Sequence, residues 1–176
     1  DLRKRSVPPP ELVVVSTLSR TIQTAQTGFK GLPGWPTTFV STELCRERIS
    51  VHECDHRRTL TDLKQDFPFV DFSLVKDEDD ALWTTRKENE PSEMAATLCY
   101  ERADEFLTWL KNRPERNIAV VAHWVFLKHM FTAHAADPAL ATNFKNAELR
   151  TAALFSGSGK VCLLYTSPSP RDETKS

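Results

Sequence analysis

The chain lacks an excess of charge of either sign, because 23 lysines and arginines stand against 24 aspartates and glutamates. A net charge of -1 provides no field for holding nucleic acid or an anionic membrane surface. No apolar run approaches the ~20 residues that a membrane span needs, and the start has no apolar signal-peptide stretch. We therefore expect a cytoplasmic protein that binds neither nucleic acid nor membrane.

Cysteine is scarce and forms no C-x-x-C pair. The four cysteines are widely spaced: Cys45, Cys54, Cys99 and Cys162. This usage predicts buried, reduced thiols rather than a disulfide framework. His52, Cys54 and His56 alternate, but three ligands without a distant fourth are a weak zinc signal, so we expect loop residues and no metal.

Short apolar runs alternate with helical patterns along the chain. Leu12 to Val15 and Ile118 to Ala122 are typical of strands buried on both faces, and Ala152 to Phe155 is a third candidate strand. Apolar residues recur every three or four positions from Pro91 to Lys111, and a second helical run spans Trp124 to Ala135. Such alternation predicts a three-layer α/β fold with a mostly parallel sheet.

The length of 176 residues favours one domain. Prolines at positions 8 to 10 indicate that residues 1–10 are a linker, and residues 11–160 carry the domain. Between Gly31 and Glu90 we expect mainly loops, with one short helix near Thr61 to Asp66. The polar, proline-containing end predicts that residues 161–176 are a disordered or artefactual tail.

Two charged or titratable residues follow the two best strands. Arg20 lies about one helical turn past the first strand, and His123 comes directly after the second. Because ligands bind outside the carboxyl ends of parallel strands, we expect both side chains at one anion-sized pocket. Arginine offers a charged fork for a phosphoryl group, and histidine can donate a hydrogen bond or transfer a proton. Glu47, flanked by two arginines, is a candidate general acid at the rim of this pocket.

Three segments resemble the histidine phosphatase superfamily, which includes the phosphoglycerate mutases. ELVVVSTLSRTIQTA is similar to that family's S-P-L-x-R-x-x-Q-T-A segment. ELCRERIS with VHECDHRRTLTDL resembles the segment of its acid residue, in the form found in plant and algal phosphoglycerate mutase-like members. NIAVVAHWVFLKHMF resembles the strand that carries the family's second histidine, and the segments occur in family order.

The resemblance implies phosphoryl transfer through a phosphohistidine on a small phosphorylated substrate, with no cofactor. Arg20 and His123 would bind the phosphoryl oxygens, and Glu47 would protonate the leaving oxygen and later activate the acceptor. Arg57 and Arg58 would contact the remote, anionic part of the substrate. The protein would then be a hydrolase or an isomerase.

One family motif has no counterpart in the chain. The family's nucleophile lies in an Arg-His-Gly motif on its first, central strand, and this chain contains no Arg-His-Gly. We therefore expect a fragment that lacks this strand, exposes apolar surface at the gap or fills it irregularly, and has little or no phosphatase or mutase activity. The alternative is a non-catalytic member of the same fold that binds anions or proteins.

Overall fold

The computed structural model describes residues 9–29, 34, 39–49, 52–85, 92–157 and 160–165. These residues form six strands: β1 (Leu12–Ser16), β2 (Phe39–Thr42), β3 (Val70–Asp71), β4 (Ile118–Val121), β5 (Ala152–Gly157) and β6 (Lys160–Tyr165). They also form five α-helices: α1 (Ser19–Phe29), α2 (Leu60–Asp66), α3 (Ala81–Thr84), α4 (Ser92–Lys111) and α5 (Trp124–His134). Of the expected linker and tail, residues 1–8 and 166–176 lie outside the described residues.

Strands β1 and β4 lie side by side and parallel, as their apolar runs predict. Leu12 pairs with Ile118 and Val15 with Val121. The sheet has the order β3-β2-β1-β4, and all three of its strand pairs are parallel. Because the carboxyl ends of parallel strands meet at one edge, this register brings the residues after β1 and β4 together.

The side chains of β1 alternate between two separate cores. Leu12 and Val14 pack with residues of α4 and α5, including Phe106 and Phe126. Val13 and Val15 pack on the opposite face with α1 and α2 in a second core that contains Ile22, Ala25 and Leu63. A sheet covered by helices on both faces confirms the α/β three-layer fold.

Strand β4 is more exposed than its neighbour. All five residues of β1 are buried, whereas the four residues of β4 are only partly buried. Within the described residues, β4 pairs with β1 on one side and forms an end of the sheet. An end strand leaves one row of backbone groups without a strand partner.

The middle of the chain holds more sheet than the sequence indicates. The expected helix is present as α2, but Phe39–Thr42 and Val70–Asp71 are parallel strands rather than loops. Only two apolar residues open β2, and β3 has two residues in all. Neither segment is long enough to give a strand signal of its own.

The third apolar run forms a strand outside the parallel sheet. Ala152–Gly157 pairs antiparallel with Lys160–Tyr165 in a separate two-stranded sheet. Residues 161–165 therefore belong to a strand, although the sequence places them in the tail. Ala152 and Leu154 pack against the core on the α4 and α5 side.

The described thiols are free, and their exposure differs. Cys45 and Cys99 are buried as expected, whereas Cys54 is exposed and corrects that prediction. Burial raises the pKa of Cys45 to about 12. No helix in the described ranges is both long enough and apolar enough to cross a membrane.

Candidate anion-binding site

Arg20 and His123 meet at the carboxyl edge of the parallel sheet. Arg20 lies in the first turn of α1, which follows β1, and His123 joins β4 to α5. The Nε–H group of Arg20 donates to Nδ1 of His123 over 3.2 Å. The predicted convergence of these two side chains is therefore present in the structure.

His123 is neutral at ordinary pH. Burial lowers its pKa to about 3, and the positive charge of Arg20 acts in the same direction. Because a guanidinium can only donate hydrogen bonds, Nδ1 of His123 must accept, and the proton of the neutral ring is on Nε2. Nε2 lies 2.8 Å from Oγ of Ser16, the last residue of β1, so the ring is held at both nitrogens.

A loop segment places a carboxylate on Arg20. Nη2 of Arg20 is 2.8 Å from Oδ1 of Asp55, and Nη1 donates to the carbonyl oxygen of Cys54. Asp55 is buried in a short 3-10 turn, Glu53–Asp55. The Arg20 side chain remains 42% exposed, so its guanidinium is oriented by these contacts and still reaches solvent.

Glu47 is attached to the first turn of α5. Its Oε1 accepts hydrogen bonds from the amides of Arg48 at 2.9 Å and Phe126 at 3.1 Å. Phe126 lies three residues after His123, so the carboxylate and the imidazole share one end of the helix. Burial raises the pKa of Glu47 above its ordinary value, although the amides of Arg48, Phe126 and Val125 oppose that shift.

A buried charge network holds the segment that carries Glu47. The fully buried Arg46 pairs with Asp80 through both terminal nitrogens, at 2.6 and 2.8 Å, and with Glu43 at 3.1 Å. Arg102 donates to the carbonyl oxygens of Arg46 and Glu47. Arg46 within the segment and Arg102 from helix α4 therefore hold its backbone in place.

Arg57 and Arg58 are each paired with a carboxylate of the chain. Arg57 is buried, with Nε 2.7 Å from Glu43, and its terminal nitrogens donate to backbone carbonyls of residues 58 and 77–79. These contacts engage all three guanidinium nitrogens of Arg57 within the chain, and its expected contact with substrate stays a prediction. Arg58 is exposed and pairs with Asp66 at 2.6 Å; its contact with substrate stays a prediction.

Sequence reasoning missed Ser16 and Asp55, the residues that hold His123 and Arg20. Ser16 carries a usable signal, since a polar residue ending an apolar strand lies at the same sheet edge as the residues after it. Asp55 comes from a loop whose path the sequence does not fix.

In the part of the chain that the structure describes, no three histidine, cysteine, aspartate or glutamate side chains are grouped to hold a metal.

The parallel sheet, with an arginine and a histidine joined at its carboxyl edge, has the architecture expected of a histidine phosphatase. Two proteins of Arabidopsis thaliana agree with this class. The chain is 33% identical over 172 residues to a phosphoglycerate mutase-like protein, an alignment that covers 80% of this chain and 62% of the relative. It is 35% identical over 172 residues to phosphoglycerate mutase-like protein 1, with 80% and 59% of the two chains covered.

The chain therefore belongs to the phosphoglycerate mutase-like group of the histidine phosphatase superfamily. It spans about three fifths of the length of these relatives. A probable phosphoglycerate mutase of the fungus Arthroderma benhamiae is 31% identical over 98 residues, covering 54% of this chain and 29% of that protein. No family model matches the chain, and no solved structure gives a significant match.

Proposed function

We propose that this chain forms the anion-binding part of a phosphoglycerate mutase-like phosphatase or phosphomutase that acts on a small phosphomonoester. The observation that carries the proposal is the 3.2 Å bond between Arg20 and His123 at the carboxyl edge of the sheet. A phosphoryl group there would meet the permanently charged guanidinium of Arg20, which His123 helps to orient. Such a donor stabilises charge that develops on phosphoryl oxygens.

Glu47 is proposed as the general acid. Such a group must hold a proton near neutral pH, and the burial that raises its pKa supports this. Burial, together with the negative charge of Asp55, outweighs the hydrogen bonds from the amides of Arg48, Phe126 and Val125, so the acid keeps its proton to higher pH. The proton would pass to the leaving oxygen as its bond to phosphorus breaks, and the carboxylate would then take one from the acceptor.

The nucleophile is the part of this mechanism that His123 does not supply. An attacking nitrogen needs a free lone pair, and the lone pair on Nδ1 of His123 accepts the Arg20 hydrogen bond while Nε2 carries the proton. In the proposed reaction another histidine forms the nitrogen–phosphorus bond as the phosphorus–oxygen bond of the ester breaks. The chain contains no Arg-His-Gly motif to provide it.

A second candidate function follows from the same observation. With both nitrogens of His123 engaged, the site is built to bind an anion rather than to attack it. The chain by itself would then be a phosphate-binding protein without turnover. The nucleotide sequence upstream of the codon for Asp1 distinguishes the two functions, because an in-frame Arg-His-Gly motif there would supply the nucleophile that only the enzyme needs.

Binding of inorganic phosphate, measured by titration calorimetry, tests the site itself. We expect Arg20→Ala to weaken binding at least about tenfold, because it removes the charged donor. The matched control is Arg113→Ala, since Arg113 is also an arginine paired with a carboxylate, that of Glu115 before β4, and it should leave the affinity unchanged. Equal affinities for the parent chain and Arg20→Ala would refute the proposed site.

A further inference from the structure

Ser16 contacts the buried side of the imidazole that the site depends on. Its Oγ lies 2.8 Å from Nε2 of His123, and the Leu18 amide also approaches that oxygen, at 3.5 Å. Ser16 is buried at the end of β1, and His123 follows β4, the parallel neighbour of β1. The two residues are 107 positions apart in sequence, so the sheet register creates the contact.

The direction of this hydrogen bond follows from the opposite side of the ring. Nδ1 accepts from Arg20, so Nε2 of the neutral ring carries the proton and donates to Ser16. A histidine that activates a serine nucleophile must instead accept the serine proton. The pair is therefore in the wrong protonation state for nucleophilic catalysis by Ser16, despite its short distance.

We propose that Ser16 is a positioning residue that holds His123 with its proton on Nε2 and its Nδ1 aligned with Arg20. The serine oxygen and the arginine grip opposite nitrogens of one ring, so rotation of the imidazole breaks both hydrogen bonds. The ring in turn fixes Nε of Arg20, the arginine whose partly exposed guanidinium is proposed to bind the anion. The positioning of the ring stands independently of function; its effect on an anion rests on the proposed function.

Nitrogen-15 spectroscopy of His123 in the full chain tests the positioning directly. In the unchanged protein we expect a protonated Nε2, an unprotonated Nδ1 and a slowly exchanging Nε2–H proton. In Ser16→Ala the Nε2–H group loses its acceptor, and its exchange with water should accelerate at least about tenfold. Ser16→Thr keeps a hydroxyl at the same position and should restore slow exchange.

Ser41→Ala is the matched control. Ser41 lies on β2, the other neighbour of β1, and its buried Oγ has no hydrogen-bond partner among the described residues. Removing this hydroxyl should leave the His123 signals unchanged. A protonated Nδ1 in the unchanged chain, or the same Nε2–H exchange in Ser16→Ala as in Ser41→Ala, would overturn the proposal.

Phosphate titration separates this inference from the function on which its consequence rests. We expect Ser16→Ala to weaken inorganic phosphate binding about tenfold and Ser41→Ala to change it less than twofold. If the unchanged chain binds no phosphate but Ser16→Ala alters the His123 signals as described, the positioning is supported and the proposed function fails. If the unchanged chain binds phosphate but the His123 signals do not respond to Ser16→Ala, the positioning fails and the proposed function is supported.

Discussion

Burial sets the protonation state of two single residues in the site. His123 and Glu47 lie at the same end of α5, and removal from water disfavours the charged form of each. For the histidine this lowers the pKa, and for the carboxylic acid it raises the pKa. The result is a neutral imidazole and an acid that is harder to ionise at the same end of the helix, so neither residue sets a full negative charge against an anion at low pH.

Titration of His123 should make stability depend on pH. Its pKa is about 3 in the folded chain, against an ordinary value of 6.5. Between pH 6.5 and pH 3, His123 therefore binds a proton in the unfolded chain but not in the folded chain. The free energy of unfolding should therefore fall as the pH is lowered from 6.5 toward 3, by at most about 1.4 kcal/mol per pH unit from this group. Urea unfolding across that window measures the slope.

The control for the pH series is His123→Gln, which does not titrate. Glutamine can accept from Arg20 and donate to Ser16, so the local hydrogen bonds have a replacement. The slope of the variant should be smaller than that of the parent by the contribution of one proton. Identical slopes in the two proteins would contradict a buried, neutral His123.

At the level of elements, Asp80 joins three segments of the chain. It pairs with Arg46, accepts a hydrogen bond from the amide of Arg57 and caps helix α3 through the amide of Trp83. Burial raises the pKa of Asp80, but the Arg46 pair and the amides of Arg57 and Trp83 together outweigh burial and keep that pKa below its ordinary value. The loop before α3 is therefore tied to the segment that carries Glu47.

Asp80→Asn should destabilise the fold strongly. It removes the carboxylate that contacts both terminal nitrogens of the fully buried Arg46 and leaves only the Glu43 pair, and breaking a buried pair costs about 3–5 kcal/mol. Asp66→Asn breaks the exposed pair with Arg58 and should cost at most about 1 kcal/mol. Denaturant unfolding of both variants measures the difference, and similar losses would contradict the role given to Asp80.

Whether a strand could be predicted from the sequence depends on the length of its apolar run. Strands β1 and β4 are continuous apolar runs, and both are found where the sequence places them. Strand β2 has only Phe39 and Val40 before Ser41, so its place in the sheet depends on pairing with β1 rather than on its own pattern. The antiparallel pairing of β5 depends on β6, which the sequence assigns to a tail.

The residues of the candidate site also fall into two groups, those that the sequence predicts and those that it does not. Arg20 and His123 could be predicted because each follows a recognisable strand, and strand ends share one edge. Their partners Ser16 and Asp55 are found only when the register and the path of the 3-10 turn are known. A single sequence indicates which residues carry the reactive groups more readily than it indicates the contacts that orient those groups.

For the whole molecule, β1 is the strand on which both cores depend. Its side chains enter the core on each face, and it pairs with a strand on each side. Strand β4 has one described strand neighbour and is only partly buried. Local opening should therefore be easier at β4 than at β1.

Amide hydrogen exchange should reveal this order. The amides of Val13 to Val15 are expected to exchange at least about tenfold more slowly than those of Ala119 to Val121, because the first set opens only when both cores open. Exchange measured by NMR on the intact chain gives both rates under one condition. Equal protection of the two strands would mean that β4 is covered as fully as β1.

The separation of Arg20 from His123 along the chain has a consequence for how the protein folds. Their contact spans 103 positions, so β1 and β4 must find each other across a long loop before the site exists. Closing such a loop costs conformational entropy before any of its contacts form, and contacts between distant residues slow folding. The anion-binding residues therefore come together only at the stage of folding when strand β4 joins strand β1.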